Sequence, residues 1–290
     1  MSSARRRRWI RPTDSVQAPG TVQPYHRGVA STRRLALQCL RTPDTDVKAR
    51  CVRNIDPLAP AGVDEALAEP PGIPGRPPRP RLVPHTRLKT RSVHSPAGRA
   101  ALLHALAHIE LNAIDLALDV VWRFAGLPEA FYRQWLQVAR EEALHFELLR
   151  DHLATLGHAY GDFDAHDGLW QMAERTRHDA LARLALVPRT LEARGLDASP
   201  AVKAKLLAAG DARGGEILDL ILRDEIGHVA VGNHWYRWLC AQRGLEPHAT
   251  YAALALQHGA PRPRGPFNLD ARRAAGFDEA ELAALAPIGA

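Results

Sequence analysis

The sequence predicts an all-α fold, a four-helix bundle preceded by a Pro/Arg-rich N-terminal arm and followed by a short C-terminal extension. Three observations predict it. Apolar residues recur at steps of three and four across residues 93–245, which is the period of an amphipathic helix. Of 22 prolines, 13 fall in residues 1–92, so that stretch is separate in character from the rest of the chain. A short phrase of acidic residues and histidine also occurs twice. Glu110 is followed 32 residues later by Glu142-Ala143-Leu144-His145, and Glu192 is followed 33 residues later by Glu225-Ile226-Gly227-His228.

Residues 1–30 read as a disordered basic arm. Residues 31–92 read as an N-terminal helical segment and a Pro-rich strap. A helical stretch around Arg33–Arg53 has Leu35, Leu37 and Leu40 on its apolar side, and the proline run between Glu69 and Leu88 must be extended or polyproline-like. The bundle occupies residues 93–245 and opens at Ser95-Pro96, an N-cap followed by proline at the first helical position. Helix one is expected to run to about Ala125, with a turn at Gly126-Leu127-Pro128. Helix two then runs from about Pro128 to Gly157. Glu110 and Glu142 each stand 16 residues from the turn, about 24 Å along the axis at 1.5 Å per residue, and so at one level. A loop over His158–Gly168 leads to helix three, expected to end at Arg194 or Gly195 with a kink at Pro188. Ser199-Pro200 is expected to cap a short helix ending near Gly210. Helix four spans about Asp211 to Gly244. Residues 246–290 form the C-terminal extension, with a helical piece around Asp278–Leu285 that folds over the mouth of the site.

The repeated phrase carries the chemistry. Residues three apart share a helix face, so Glu142 with His145, and Glu225 with His228, can each reach one ion. That face is the core stripe: Phe131, Trp135, Val138, Glu142, His145 and Leu149 on one helix, and Leu218, Ile221, Glu225, His228, Gly232, Trp235 and Leu239 on the other. Leu106, Ala113, Ala117 and Val120 share a face with Glu110, and Leu181, Leu184 and Pro188 share one with Glu192. A buried unpaired carboxylate costs several kcal/mol or takes up a proton, and four of them converging repel one another. Two cations among them remove that cost. A lone Glu-x-x-His is a common accident in a chain with 14 histidines, but the doubled phrase is not. The predicted metal ligands are therefore Glu110, Glu142, His145, Glu192, Glu225 and His228, the inventory of a carboxylate-bridged dinuclear centre.

Neighbouring residues are assigned lesser parts. Glu141 is a rival of Glu142 but lies 100° off the Trp135–Val138 line. His104, His108 and His152 fall outside the ligand faces, in surface or supporting roles. Asp115, Asp179 and Asp224 are candidates to orient ligand histidines. Trp122, Trp135, Trp235 and Tyr236 read as core packing, and His166-Asp167-Gly168 as a loop anchor.

The formal charge of +6 is uneven. Residues 1–92 hold 18 Lys/Arg against 7 Asp/Glu, and the remainder 20 against 25. The basic segment lacks interleaved aromatics, so a solvated arm is favoured over a nucleic-acid interface, a partner with weak support. No membrane is expected, since no stretch approaches roughly 20 uncharged apolar residues. The Arg-rich start lacks the apolar run of a secretory leader. Cys39, Cys51 and Cys240 have no metal-ligand spacing and cannot all pair, which points to a reducing cytoplasm.

At Ala107-His108-Ile109-Glu110-Leu111-Asn112-Ala113-Ile114-Asp115 and Arg223-Asp224-Glu225-Ile226-Gly227-His228-Val229 the chain resembles a bacterial ferritin-like family catalogued as a domain of unknown function. Ala165-His166-Asp167-Gly168-Leu169-Trp170, Leu186-Val187-Pro188-Arg189, Leu191-Glu192-Ala193-Arg194-Gly195-Leu196-Asp197 and Pro266-Phe267-Asn268 extend the likeness over about residues 33–285. The resemblance implies a ferritin-like bundle and, by the pattern of the wider di-iron carboxylate superfamily, the same six ligands. In ligand order it is similar to the bacterial di-iron hydroxylase that modifies tRNA, a likeness of site and not of substrate. The expected cofactor is two iron ions, one on Glu142 and His145 and one on Glu225 and His228, with Glu110 and Glu192 terminal or bridging. Manganese suits the same donors. The expected activity is an O2-activating oxidase or monooxygenase with an unknown small-molecule or macromolecular substrate and an external electron donor. The alternatives are a ferroxidase-type iron protein, a dimanganese catalase-like protein and an RNA-associated hydroxylase.

Overall fold

The computed structural model describes residues 30–89 and 91–285; all but the last residue of the expected disordered arm lies outside them. Among the described residues the fold is all-α, with no strand and one isolated bridge between Leu82 and Ala165.

The N-terminal segment is two helices, not one stretch. Helix α1 (Thr32–Leu40) is capped by Ser31 and α2 (Thr45–Arg53) by Asp44, each side chain accepting from a backbone N–H three residues on. Pro43 stands between them, and the residue before a proline is steered out of the helical region. Cys39 and Cys51 are joined as a disulfide across this pair, and Cys240 is free and buried. Two of the three cysteines therefore pair, and cysteine usage no longer argues for a reducing cytoplasm. Buried Arg33 donates to the carbonyls of Trp122, Gly62 and Glu65, and buried Lys48 donates to Gly75 O and pairs with Asp115. These contacts tie both helices and the start of the strap to the first helix of the bundle. The strap is irregular apart from a short 3-10 turn at His85–Arg87, as its prolines require.

Helix α3 (Pro96–Arg123) starts at Ser95, whose hydroxyl accepts from Gly98 N. It packs antiparallel to α4 (Glu129–Thr155) across a tight turn in which Gly126 has φ 74°, a left-handed conformation that glycine adopts without strain. By length and composition α3 is apolar enough to cross a membrane, but 72% of its apolar window is buried inside the chain. It also carries Glu110, Asp115 and Asp119, all buried.

The third rod departs most from expectation. It comprises α5 (Gly168–Arg175), a break, α6 (Ala180–Leu186), a π-helical turn over Val187–Glu192, and α7 (Ala193–Ala208). Pro188 has no N–H to give, and its ring crowds the carbonyl four residues back, so the ladder widens instead of ending. Ser199 donates to Gly195 O, and Pro200 lies inside α7; neither caps a new helix. Glu192 therefore sits within a continuing rod, not near its end. Helix α8 (Ala212–Gln242), capped by Asp211, packs on α4, α6, α7 and the π-turn. Gly232 permits the closest approach: a Cβ there would lie 2.5 Å from Pro188 Cβ.

The extension adds α9 (Pro247–Gln257), α10 (Leu269–Ala274) and α11 (Glu279–Ala283). Helix α9 packs on α6 and α8, and α10 on α7 and α8. Arg272 clamps Asp197, and Asn233 donates to Ala275 O, so the tail is fastened to the rods by buried polar contacts. Helix α11 begins with a capping box between Asp278 and Glu281.

Candidate metal centre

Three elements deliver the inner carboxylates and imidazoles: α3 brings Glu110, α4 brings Glu142 and His145, and α8 brings Glu225 and His228. All five are buried, because their helical register places them where core residues stand one turn above and below. Glu110, Glu142, His145 and Glu225 each offer a ligand atom within 4.8 Å of the other three. His228 joins them through Nδ1, which is 2.9 Å from Glu142 Oε1 and 3.8 Å from Glu225 Oε1. His145 Nδ1 lies 3.3 Å from Glu142 Oε2 and 3.5 Å from Glu110 Oε2. Glu142 is thus the hub, with one oxygen toward each imidazole. Glu192, on the last residue of the π-turn, lies in the fields of Glu225, Glu142 and His228, and its Oε2 is buried without a partner among the described residues.

The outer nitrogens are also held. His145 Nε2 meets Asp224 Oδ2 at 3.1 Å, and His228 Nε2 meets Glu141 Oε2 at 2.8 Å. Each carboxylate comes from the helix opposite its histidine. The expected orienting role falls to Asp224 for His145, while Asp115 pairs with Lys48 and Asp179 caps α6 and pairs with Arg243. Glu141, by sequence a rival for the inner position, is instead the partner of His228. The signal lies in the sequence: an acidic residue stands immediately before each Glu-x-x-His, at Glu141-Glu142 and Asp224-Glu225.

The electrostatics reflect crowding. Burial raises Glu110 well above the ordinary carboxylate range, and nearby Glu142 adds to it. Burial likewise raises Glu192 and Glu225, with Glu225 and Glu142 respectively as the next contributors. Burial also opposes charge on Glu142, but His228 and His145 outweigh it and hold the carboxyl well below its usual range. His145 is disfavoured as a cation by burial, yet Glu110 and Glu142 carry it up to about 11. His228 is raised in the same way by Glu142 and Glu141. Without a cation the cluster keeps neutral only by taking up protons.

The donor set could hold a metal ion. Hard carboxylate oxygens and imidazole nitrogen match divalent first-row ions. Glu110 Oε2, Glu192 Oε2, Glu225 Oε2 and His228 Nδ1 are buried with no hydrogen bond among the described residues, the 2.9 Å approach of His228 Nδ1 to Glu142 being poorly aligned for one. Fixing Nε2 outward leaves each Nδ1 lone pair facing inward once its proton is lost.

The three other histidines near the ligand stripes are not at the surface. His104 and His108 are buried against the loop after α4: His104 Nε2 accepts from Gly161 N, and His108 contacts Tyr160 Oη and His166 O. His166 Nδ1 accepts from Gly168 N and Asp167 pairs with Arg76, so His166-Asp167-Gly168 anchors that loop. His152, half-buried, pairs with Asp211. Trp122, Trp135, Trp235 and Tyr236 are core side chains.

Residues 41–283 match the family described as protein of unknown function (DUF455). An uncharacterized protein of Haemophilus influenzae is 50% identical over 213 residues, covering 71% of this chain and 74% of that protein. No solved structure matches the chain. With the family match spanning most of its length, and with half the aligned residues shared with that relative, the chain belongs to the DUF455 family.

Proposed function

We propose that this protein is a ferritin-like, carboxylate-bridged di-iron oxidoreductase. One observation carries the reading. Two imidazoles present Nδ1 to a single buried glutamate, each fixed by a carboxylate from the opposite helix, with three more carboxylates close by. Glu142 and His145 would hold one ion, Glu225 and His228 the second, with Glu110 and Glu192 completing the set. An iron pair held by these residues would, when reduced, supply two-electron activation of O2, so that a substrate C–H, O2, two electrons and two protons would give an alcohol and water, the electrons coming from an external donor.

The protein's own contribution is positional. Asp224 and Glu141 set the tautomer of the two histidines, and the apolar stripe above and below the site excludes bulk water. Glu110, Glu142, Glu192 and Glu225 would supply hard anionic oxygens able to balance the charge of bound ions. The substrate class is a separate question from the site, since fold and ligand order are shared by unrelated activities.

The test is metal content together with the optical spectrum after O2 is added to the ferrous protein. About two ions per chain and a transient charge-transfer band are expected. Two ions without the band would favour manganese or iron handling without substrate oxidation. A full metal complement in the His145→Ala, His228→Ala double variant would overturn the site.

A further inference from the structure

On the far side of the π-turn from Glu192, the C-terminal extension encloses a second feature. Arg189 and Thr190, of the turn, face Tyr251 of α9, Arg272 of α10, Phe277 of the connection after it and Glu281 of α11 across a cavity of about 310 Å³. That volume is at the lower end of the roughly 300–1,000 Å³ of small-molecule sites. None of the six predicted metal ligands lines it; His248 and Glu281, which with Asp278 form a separate group whose donor atoms lie within 4.8 Å of one another, do.

Arg189 is unusual among the charged residues here. It is 3% exposed, and its guanidinium carbon lies 4.3 Å from the Tyr236 ring centre, 5.4 Å from that of Tyr251 and 5.3 Å from that of Phe277. Its Nη2 pairs with Glu281, but Nε and Nη1 are buried and donate to nothing among the described residues. Glu281 is also shared with Arg237 Nη2 at 2.8 Å, so one carboxylate serves two guanidiniums. Arg272 does not redress this, because Asp197 already takes it at 2.6 Å. A desolvated guanidinium with a shared counter-ion and idle donors is an anion-binding group, and a carboxylate is its strongest partner. The aromatic walls fit a flat apolar body behind that head.

We propose that the cavity between the π-turn and the C-terminal extension binds a small organic acid, a planar apolar body bearing one carboxylate, with Arg189 as its anchor. The site stands independently of the metal reading, since none of those six ligands contributes to it. It is joined to the metal centre by the three-residue step from Arg189 to Glu192 and by α8, whose Tyr236 packs on Arg189 and whose Arg237 shares Glu281.

Calorimetric titration of the full chain with 2-naphthoate and with the neutral 2-naphthylmethanol tests this. Saturable one-to-one binding of the acid is expected, with the alcohol at least about tenfold weaker because it lacks the charge-assisted pair. Arg189→Met should remove that preference. Arg189 also ties α11 to the turn, so a second variant guards against loss of the fold. The Ala252→Trp, Ala280→Trp double variant decides the matter in that case, since it fills the cavity from exposed helix positions and leaves Arg189 in place; the acid should no longer bind. Equal binding of acid and alcohol, binding of neither, or binding undiminished in both the folded Arg189→Met protein and the filled variant would overturn the proposal. Metal content measured on the same samples is expected to stay at the wild-type value in the filled variant, which separates failure here from failure of the metal centre.

Discussion

Glu141 on α4 holds His228 of α8 by its outer nitrogen at 2.8 Å, and Asp224 on α8 holds His145 of α4 in the same way at 3.1 Å. The two Glu-x-x-His helices are therefore cross-braced, each supplying the support for the other's imidazole. Neither brace enters the inner cluster, so removing one alters how a histidine is presented and leaves the set of inner donors whole.

Glu141→Gln and Asp224→Asn should each weaken metal binding about 10–100-fold while leaving the helical content unchanged. Metal-binding isotherms alongside far-UV circular dichroism check this. Wild-type affinity in both variants would show that the braces serve only packing.

Glu110→Gln should stabilise the metal-free chain. Burial and Glu142 disfavour charge on Glu110 by more than its contact with His145 restores, so an amide relieves a net cost. A gain of about 1 kcal/mol, or roughly 2–4 °C in Tm, is expected without metal, with weaker metal uptake. A lower Tm in metal-free Glu110→Gln would count against crowding as the cause.

Loading should become stronger as pH rises. His145 and His228 are held protonated above their ordinary range in the metal-free chain, and an imidazole must lose its proton before Nδ1 can bind an ion. Proton release on loading, read from the buffer dependence of calorimetric heats, checks the sign. Loading with no proton release would contradict it.

His104 gives stability a second pH dependence. Burial pushes its pKa down from 6.5 to about 4, so the unfolded chain takes up a proton first as pH falls. Its contribution is fully present above 6.5 and diminishes toward pH 4, by about 1.4 kcal/mol per pH unit at most. Urea unfolding at pH 7 and pH 5 should show this loss, and His104→Gln should reduce it.

Gly232→Ala should destabilise the fold by about 1–3 kcal/mol, since the new methyl would meet the Pro188 ring at 2.5 Å and neither backbone can retreat cheaply. Thermal unfolding measures it. Because Pro188 belongs to the turn that ends in Glu192, metal affinity should fall as well.

What the sequence determined by itself is local. The three-residue step of Glu142 to His145 and of Glu225 to His228 places each pair on one face through helical geometry alone. The equal distances of Glu110 and Glu142 from the Gly126 turn put them at one level because a hairpin has a fixed rise. The cap at Ser95 was readable for the same reason. Which histidine meets which outer carboxylate is not local. It depends on the rotation of α4 against α8, set by side chains far apart in sequence, such as Phe131 and Gln134 against Trp235. The continuation of the third rod past Gly195 and through Pro200 is likewise tertiary: burial against α8 outweighs the glycine and proline signals that reading along the chain takes as a helix end and a new start. The pairing of Cys39 with Cys51 required α1 and α2 to lie side by side, and the cavity beneath Arg189 required the extension to fold back on the π-turn. Periodicity fixes where a side chain points on its own helix, and only packing decides what it finds there.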